Sequence, residues 1–421
     1  MTPLEHLYDK WIEWPGFELP RSFPREEYNW RVGQARKLMA EEQLDAMVVT
    51  SSWNGRYFTG TSGPEEWHDL CPVRATFYVL THNEDYLLMP PAMEGEHLNA
   101  ARRGTWVTNI RSVVERFEWL PRYEIWDVKR MAEAFRDIGL WKSRIGWELG
   151  DCQVLGLSYN DYNHLKELMP EARFVDASMI LRELHQIKSE LEISWYRKAC
   201  AAGAKMLHDA VPASLKIGLT EKEFLKSLTD YFNRNFDENY SWDATHYWDI
   251  RNRKRDNYHF LHSFATDREF LEGDFVARGW SGVGYRGCMA DIDRMWYLGS
   301  NPEPRMKAYY RATWECMEAM KDLIRPGAKC SEIFGPTISI ARKYGIPERR
   351  AGRNGHSDNL TGISIHPDNH LVLKEGMILQ CEPTFADEYG YFDIEDVFLV
   401  TGSGCERLHS RAPEELPVIS G

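Results

Sequence analysis

The sequence predicts a chain of two domains, in which an α/β N-terminal domain precedes a C-terminal domain of mixed helix and strand. A length of 421 residues exceeds one ordinary domain and suits two. Helix-like and strand-like stretches alternate as far as residues 173–175, which is typical of an α/β domain. The pattern changes near Ser189, where long helices follow one another. We therefore expect the boundary near residues 178–186, with domains at 1–180 and 181–421.

The N-terminal domain is predicted to begin with an irregular arm over residues 1–20, which are rich in tryptophan and proline. Pro24 and the acids that follow it predict the start of a helix, because proline suits a first helical turn and acids suit the helix dipole. An apolar run at 46–49 predicts a buried strand. Residues 75–80 and 86–89 predict two further strands that are joined by a tight turn.

Two capping boxes predict helices in the C-terminal half. Ser189 is followed three residues later by Glu192, and Thr220 is followed in the same way by Glu223. In such a box the hydroxyl and the carboxylate each satisfy a main-chain N–H at the start of a helix. Each pair therefore indicates where a helix begins.

Composition narrows the partners and the cellular location. The formal net charge is −13 and no long basic run occurs, so nucleic acid and anionic membranes are poor partners. The eight cysteines form no Cys-x-x-Cys pair, and the start has no signal-like pattern. No apolar run is long enough to cross a bilayer. We expect reduced cysteines, a cytoplasmic location, and a small-molecule substrate.

Four short segments of the second half carry acids or a histidine within strand-like apolar surroundings. They are residues 291–294, 355–356, 381–383 and 394–396. A carboxylate that faces the inside of a sheet is costly unless it is paired, hydrogen-bonded or bound to a metal. For each acid taken alone, a solvated strand face is the favoured interpretation. Four segments within one half of the chain favour a common site.

The ordered signatures of the second half resemble those of the creatinase and pita-bread aminopeptidase superfamily. The matching segments are residues 187–193, 324–327, 355–356, 373–377 and 381–383. This superfamily includes methionine aminopeptidase, prolidase, creatinase and bacterial lyases of dimethylsulfoniopropionate. The resemblance implies an α+β fold, in which an α/β creatinase-type N-terminal domain is followed by a pita-bread α+β catalytic domain.

The resemblance also implies a metal centre that lacks one ligand. Metallopeptidases of the superfamily hold two metals with two aspartates, a histidine and two glutamates. Carried over by position, four of these five ligands are present: Asp291, His356, Glu382 and Glu395. The first aspartate should follow the strand at 275–278, where the chain has Gly279, Trp280 and Ser281. These offer no carboxylate to a cation. We therefore expect one divalent transition metal ion, or none as in creatinase, and no second ion.

The resemblance assigns proton transfer to His262, whose position before residues 272–275 matches that of the histidine that handles the proton in creatinase. An imidazole suits this role because it titrates near neutrality. Asp293 matches a substrate-binding glutamate, and with Glu382 it would present two acids to a cationic or polar substrate group. The alternatives are a surface-loop histidine at 262 and an ion pair between Asp293 and Arg294.

Arg74 precedes a predicted strand and resembles an arginine that creatinase projects across its dimer to the substrate carboxylate. A guanidinium offers a planar fork that matches a carboxylate. The resemblance therefore implies a homodimer with shared active sites. An ordinary strand-edge arginine is the alternative.

Aromatic residues are crowded between Tyr240 and Tyr285. Tryptophan faces attract cations, so Trp242, Trp248 and Trp280 are candidates to line a site for a guanidinium, sulfonium or methylated ammonium. Core packing is the alternative for each of them.

Four functions follow, and hydrolysis of a C–N bond in a small zwitterionic carboxylate, as in creatinase or ectoine hydrolase, is the first. A metal-dependent dimethylsulfoniopropionate lyase is the second. An Xaa-Pro metallopeptidase is the third, and the missing aspartate disfavours it. A binding module without catalysis is the fourth, and His262, His356 and Glu382 count against it.

Overall fold

The computed structural model describes most of the chain. The described residues are 23–60, 77–89, 104–112, 128–151, 153–242, 248–251, 265–278, 282–347, 353–357, 361–387 and 390–420. The chain divides into two compact units, Met1–His185 and Gln186–Gly421. The expected domain limits, 1–180 and 181–421, stay a prediction.

The first unit contains a six-stranded mixed sheet with strand order β4-β3-β2-β1-β5-β6. Its strands are β1 (Ala46–Val49), β2 (Phe77–Thr81), β3 (Asp85–Met89), β4 (Asn109–Ser112), β5 (Arg144–Trp147) and β6 (Arg173–Asp176). Strand β1 pairs with β2 in antiparallel fashion and with β5 in parallel. The predicted hairpin between β2 and β3 is confirmed.

Helices flank this sheet and bury its apolar faces. They are α1 (Arg25–Glu41), α2 (Ser52–Thr59), α3 (Val128–Asp137), α4 (Tyr159–Leu168) and α5 (Ser178–Gln186). Helix α1 begins directly after Pro24, as predicted. Trp147 of β5 lies at the centre of the core, where its ring stacks on that of Phe174 and meets Phe77 and Phe135 edge to face.

The second unit begins with helices. They are α6 (Glu190–Lys205), a π-helical turn (Met206–Ala210), α7 (Val211–Ser214), α8 (Glu221–Asn235), α9 (Pro304–Lys321) and α10 (Cys330–Tyr344). Both predicted capping boxes are present, since Ser189 and Thr220 accept from the main-chain N–H groups of Glu192 and Glu223. None of the helices within the described residues is both long and apolar enough to cross a membrane.

The described residues of the second unit also form four small sheets, with strand orders β11-β10-β7, β19-β12-β9-β8, β13-β14-β17-β18 and β15-β16. The strands are β7 (Tyr240–Trp242), β8 (Trp248–Arg251), β9 (Phe275–Arg278), β10 (Val283–Tyr285), β11 (Cys288–Ala290), β12 (Arg294–Leu298), β13 (Gly355–His356), β14 (Ile378–Cys381), β15 (Thr384–Asp387), β16 (Gly390–Asp393), β17 (Asp396–Thr401), β18 (Gly404–Arg407) and β19 (Val418–Ile419).

One continuous core lies between these sheets and helices α9 and α10. Phe392 of β16 illustrates it, since its ring packs on those of Phe275 and Tyr309. Strands β12, β14, β16 and β17 contribute to this core, and the acids described next lie at or beside their ends.

Candidate active site

Two short acidic segments with the same pattern lie at strand ends. Asp291-Ile292-Asp293 links β11 to β12, and Asp393-Ile394-Glu395 links β16 to β17. Both isoleucines are fully buried in the core. Neighbouring side chains of an extended chain point to opposite sides, so the two acids of each segment share the other side. The segments also meet, because the main chains of Asp293 and Glu395 exchange N–H···O contacts of 3.3 and 3.4 Å.

The first trio is Asp291, His356 and Glu395, whose ligand-type atoms all lie within 4.8 Å of one another. The Nε2 atom of His356 is 3.6 Å from Oδ2 of Asp291 and 3.5 Å from Oε1 of Glu395. One imidazole and two carboxylates form a donor set that suits a divalent cation. These residues come from a strand and two strand ends that the core holds in place.

The imidazole of His356 is oriented for metal binding. Its Nδ1 atom lies 2.9 Å from the carbonyl oxygen of Ser357. A carbonyl oxygen accepts, so Nδ1 donates in that contact, and the ring is thereby turned with Nε2 toward the two carboxylates. Histidines that bind metals usually have their second nitrogen fixed in this way.

Glu395 is a buried acid with an oxygen available to a ligand. It is 2% exposed, and within the described part of the chain its Oε1 atom has no hydrogen-bond partner. Burial, followed by the charges of Asp291, Asp293 and Glu382, raises the pKa of its carboxyl well above the usual value. A cation beside Oε1 would reverse this cost, because it would supply the missing partner and offset the repulsion. The first trio therefore fits a metal ion.

The second trio is Asp293, Glu382 and Asp393, whose oxygen atoms also lie within 4.8 Å of one another. Asp293 and Asp393 are each 3% exposed. Each acidic segment thus gives one acid to each trio. The second trio has carboxylates only, which suits a hard metal cation or the cationic group of a substrate.

The structure brings together five of the residues predicted for the site, but in two groups. Asp291, His356 and Glu395 form the first trio, whereas Glu382 lies with Asp293 in the second. The predicted four-ligand set is therefore not one cluster among the described residues. Asp393 was not among the predicted residues. A signal for it exists, since Asp393-Ile394-Glu395 repeats the acid-Ile-acid pattern of residues 291–293.

The remaining predicted site residues are not among the members of the two trios. Arg74, His262 and Trp280 lie outside the described residues, and Trp248 lies in β8 with its side chain outside the description. Trp242 stacks on Phe232 of helix α8 with ring centroids 5.6 Å apart. Its indole N–H donates to Thr229 at 3.3 Å. Roles for these residues in the site stay predictions.

Two protein families match the chain in consecutive segments. The "Creatinase/Prolidase N-terminal domain" matches residues 31–187, and "Metallopeptidase family M24" matches residues 194–402. The second segment contains every residue of the two trios. The order of the two matches is the one that the resemblance implied.

Relatives with several activities match nearly the whole chain. The Xaa-Pro dipeptidase of Pyrococcus horikoshii is 24% identical over 387 residues, 90% of this chain and 97% of the relative. The ectoine hydrolase of Halomonas elongata is 24% identical over 411 residues, 92% and 96% of the two chains. The creatinase of a Bacillus species is 21% identical over 429 residues, 97% and 96% of the two. Because these relatives carry the names of three different enzymes, the comparison is compatible with more than one substrate for this chain.

Solved structures support the fold. The prolidase from Pyrococcus horikoshii OT3 superposes with a TM-score of 0.70 at 22% identity, covering 90% of this chain and 98% of its own. A likeness at this identity speaks for the fold alone. Together with the two family matches it confirms the predicted α+β fold, a creatinase-type N-terminal domain followed by a pita-bread domain.

Proposed function

The chain belongs to the creatinase and pita-bread superfamily, and we propose that it is a metal-dependent hydrolase of C–N bonds in small carboxylate-bearing substrates. The observation that carries the proposal is the first trio. There His356 directs its Nε2 toward Asp291 and Glu395, and Glu395 keeps a buried oxygen without a hydrogen-bond partner among the described residues.

Asp291, His356 and Glu395 would hold one divalent cation. Such an ion, when bound, supplies Lewis-acid chemistry to an oxygen or carbonyl group of the reacting molecules. The contribution of the chain is to orient its ligands. The carbonyl of Ser357 orients the ring of His356, and the buried side chains of Ile292 and Ile394 anchor the segments that carry the two acids.

The second trio would bind the cationic part of the substrate. Asp293, Glu382 and Asp393 place three carboxylates together in a mostly buried position. A guanidinium, amidinium or ammonium group beside them would offset their mutual repulsion and orient the scissile bond toward the first trio. Glu382 is the most exposed of the three, so it is our candidate to polarise the substrate.

Two further roles rest on the sequence alone. His262 would transfer the proton to the leaving nitrogen, and Arg74 of a partner subunit would bind the substrate carboxylate. The second role requires a homodimer with shared active sites, which sedimentation analysis would detect. A cytoplasmic location also stays a prediction.

An Xaa-Pro dipeptidase is the second candidate. The relative from Pyrococcus horikoshii carries that name, and the second trio could hold a second metal ion instead of a substrate cation. Residues 279–281, where the resemblance places a further carboxylate ligand, are glycine, tryptophan and serine, which counts against two ions. A lyase has no support from the relatives described above, which are named as a dipeptidase, an ectoine hydrolase and a creatinase.

Metal content and substrate range should be measured on one preparation. The panel contains creatine, ectoine, other small zwitterionic amides and amidines, and Xaa-Pro dipeptides, with detection of released amine. We expect one ion per chain, hydrolysis of a zwitterion, loss of activity on chelation, and recovery with Mn²⁺ or Zn²⁺. The His356→Ala variant should lose the ion and the activity together.

Two results would overturn the proposal. Full turnover by protein that has been stripped of metal would remove the role of the first trio. Two tightly bound ions, with turnover of dipeptides only, would establish the peptidase instead.

A further inference from the structure

Arg294 is a buried arginine that lies directly behind the acids of the site. Its Nη1 atom donates to the main-chain carbonyls of Asp293, at 2.7 Å, and Glu395, at 3.0 Å. Its Nη2 atom donates to the carbonyl of Ser410 at 3.0 Å and pairs with Oδ1 of Asp396 at 2.9 Å. The guanidinium therefore pairs with Asp396 and not with the carboxylate of Asp293, which was the alternative given by the sequence.

The ion pair joins the two acidic segments on the side away from the site. Arg294 is the residue after Asp293, and Asp396 is the residue after Glu395. Since adjacent side chains of an extended chain point to opposite sides, each segment presents its acid to the site and its ion-pair partner to the interior. The two segments thus continue their shared pattern, with Arg294 and Asp396 at equivalent places.

Further charges hold Asp396 in place. Its Oδ2 atom lies 2.9 Å from Nε of Arg407, whose Nη2 atom lies 2.5 Å from Glu318 of helix α9. The main-chain N–H of Val397, the next residue, donates to Nε2 of His409 at 3.0 Å. Asp396 is therefore held between the guanidinium groups of Arg294 and Arg407.

We propose that Arg294 is a positioning residue that sets the spacing between the two acidic segments, and so the geometry of both trios. One guanidinium hydrogen-bonds a carbonyl of each segment and pairs with a side chain of the second, so a shift of either segment would break a buried bond. The part of this inference that concerns metal affinity rests on the proposed function.

Two variants test the role. Arg294→Lys keeps the charge but loses the fork that reaches several acceptors at once. The double variant Arg294→Met/Asp396→Leu removes both buried charges, a replacement that often preserves folding. For each we would measure the Kd for Mn²⁺ by calorimetry, and amide hydrogen exchange over residues 291–298 and 393–398 by mass spectrometry. The thermal unfolding temperature is measured in parallel.

A matched control lies in the first unit. Arg31 and Glu27 form another buried pair, with Nε and Oε1 2.7 Å apart and both side chains almost fully covered. The variant Glu27→Leu/Arg31→Met should change the unfolding temperature without altering Mn²⁺ binding or amide exchange near the trios.

We expect the double variant to raise the Kd for Mn²⁺ by about 10- to 100-fold, the scale of lost support for a ligand. Exchange of the Asp293 and Glu395 amides should become about 10-fold faster, and Arg294→Lys should fall between the double variant and wild type. A lower unfolding temperature with unchanged Kd and exchange would overturn the inference. If wild type itself binds no Mn²⁺, the proposed function fails. Exchange then decides the positioning role: faster exchange supports it and unchanged exchange removes it.

Discussion

Two buried glutamates, one in each unit of the chain, show how equal burial serves different ends. Glu148 follows strand β5 and Glu395 precedes β17, and each is 2% exposed. Glu148 accepts five hydrogen bonds, from the main-chain N–H and hydroxyl of both Thr50 and Ser51 and from the amide of Asn54, at 2.5 to 3.0 Å. All five donors to this carboxylate belong to the first unit, so its role there is structural.

Glu395 has the opposite surroundings. The charges of Asp291, Asp293 and Glu382 act on it, and its Oε1 atom lies 3.5 Å from Nε2 of His356 without a hydrogen bond among the described residues. A buried carboxylate oxygen without a hydrogen bond is costly. The comparison teaches that burial does not distinguish a structural acid from a functional one. The identity of the groups around the carboxylate does.

The largest expected effect comes from replacing Glu395. Glu395→Gln removes one ligand charge from the first trio, so turnover should fall at least about 100-fold, since even lost support for a ligand costs 10- to 100-fold in metal affinity. The unfolding temperature of the metal-free protein should not fall, because the amide relieves repulsion among the acids. Steady-state kinetics, calorimetry with Mn²⁺ and thermal unfolding measure the three quantities.

Glu148→Gln is the matched control, with the same chemical change at the same burial. Equal loss of turnover in both variants would show that the change acts through folding, and the contrast drawn above would then be wrong.

A smaller effect is expected for Asp393→Asn in the second trio. If this trio binds the substrate cation, KM should rise about 10-fold, the cost of one charge-assisted contact, while Mn²⁺ affinity stays within about twofold. Loss of a bound ion with unchanged KM would instead assign the trio to a metal. This variant separates the two candidate functions.

The smallest effect on turnover is expected for Glu148→Gln itself. The amide would place N–H groups against donors that now meet a carboxylate, at a cost of about 1–3 kcal/mol in the free energy of unfolding of the first unit. Turnover should stay within about twofold of wild type. Denaturant unfolding followed by circular dichroism, with kinetics on the folded protein, would measure both. An unchanged free energy of unfolding would mean that the five hydrogen bonds contribute little.

The sequence predicted the local features of the fold well, because their causes are local. Ser189 with Glu192 and Thr220 with Glu223 specify helix starts through residues three apart. The resemblance to the superfamily identified Asp291, His356, Glu382 and Glu395 as candidate site residues in the second half of the chain. Their division into two trios depends on how β14, β16 and β17 meet, which no local pattern contains.

Two residues show what sequence reasoning missed. Asp393 joins the second trio because β16 ends beside Asp293 and Glu382, although its acid-Ile-acid pattern was visible. Glu148 is separated by 94 to 98 residues from the groups that satisfy it. Its structural role is therefore invisible until the sheet has brought β1 and β5 together.

The Arg294 bond to the carbonyl of Glu395 closes a gap of 101 residues. During synthesis the chain grows at about 5–20 residues per second, so the acids near 291 wait roughly 5–20 seconds for their partners near 395. Closing a loop of this length is entropically costly, so folding of the intervening helices and strands favours the contact. The first trio is therefore complete only after Glu395 has been synthesised and packed beside Asp291. If the trio holds an ion as proposed, that ion would be selected from the metals available after this point.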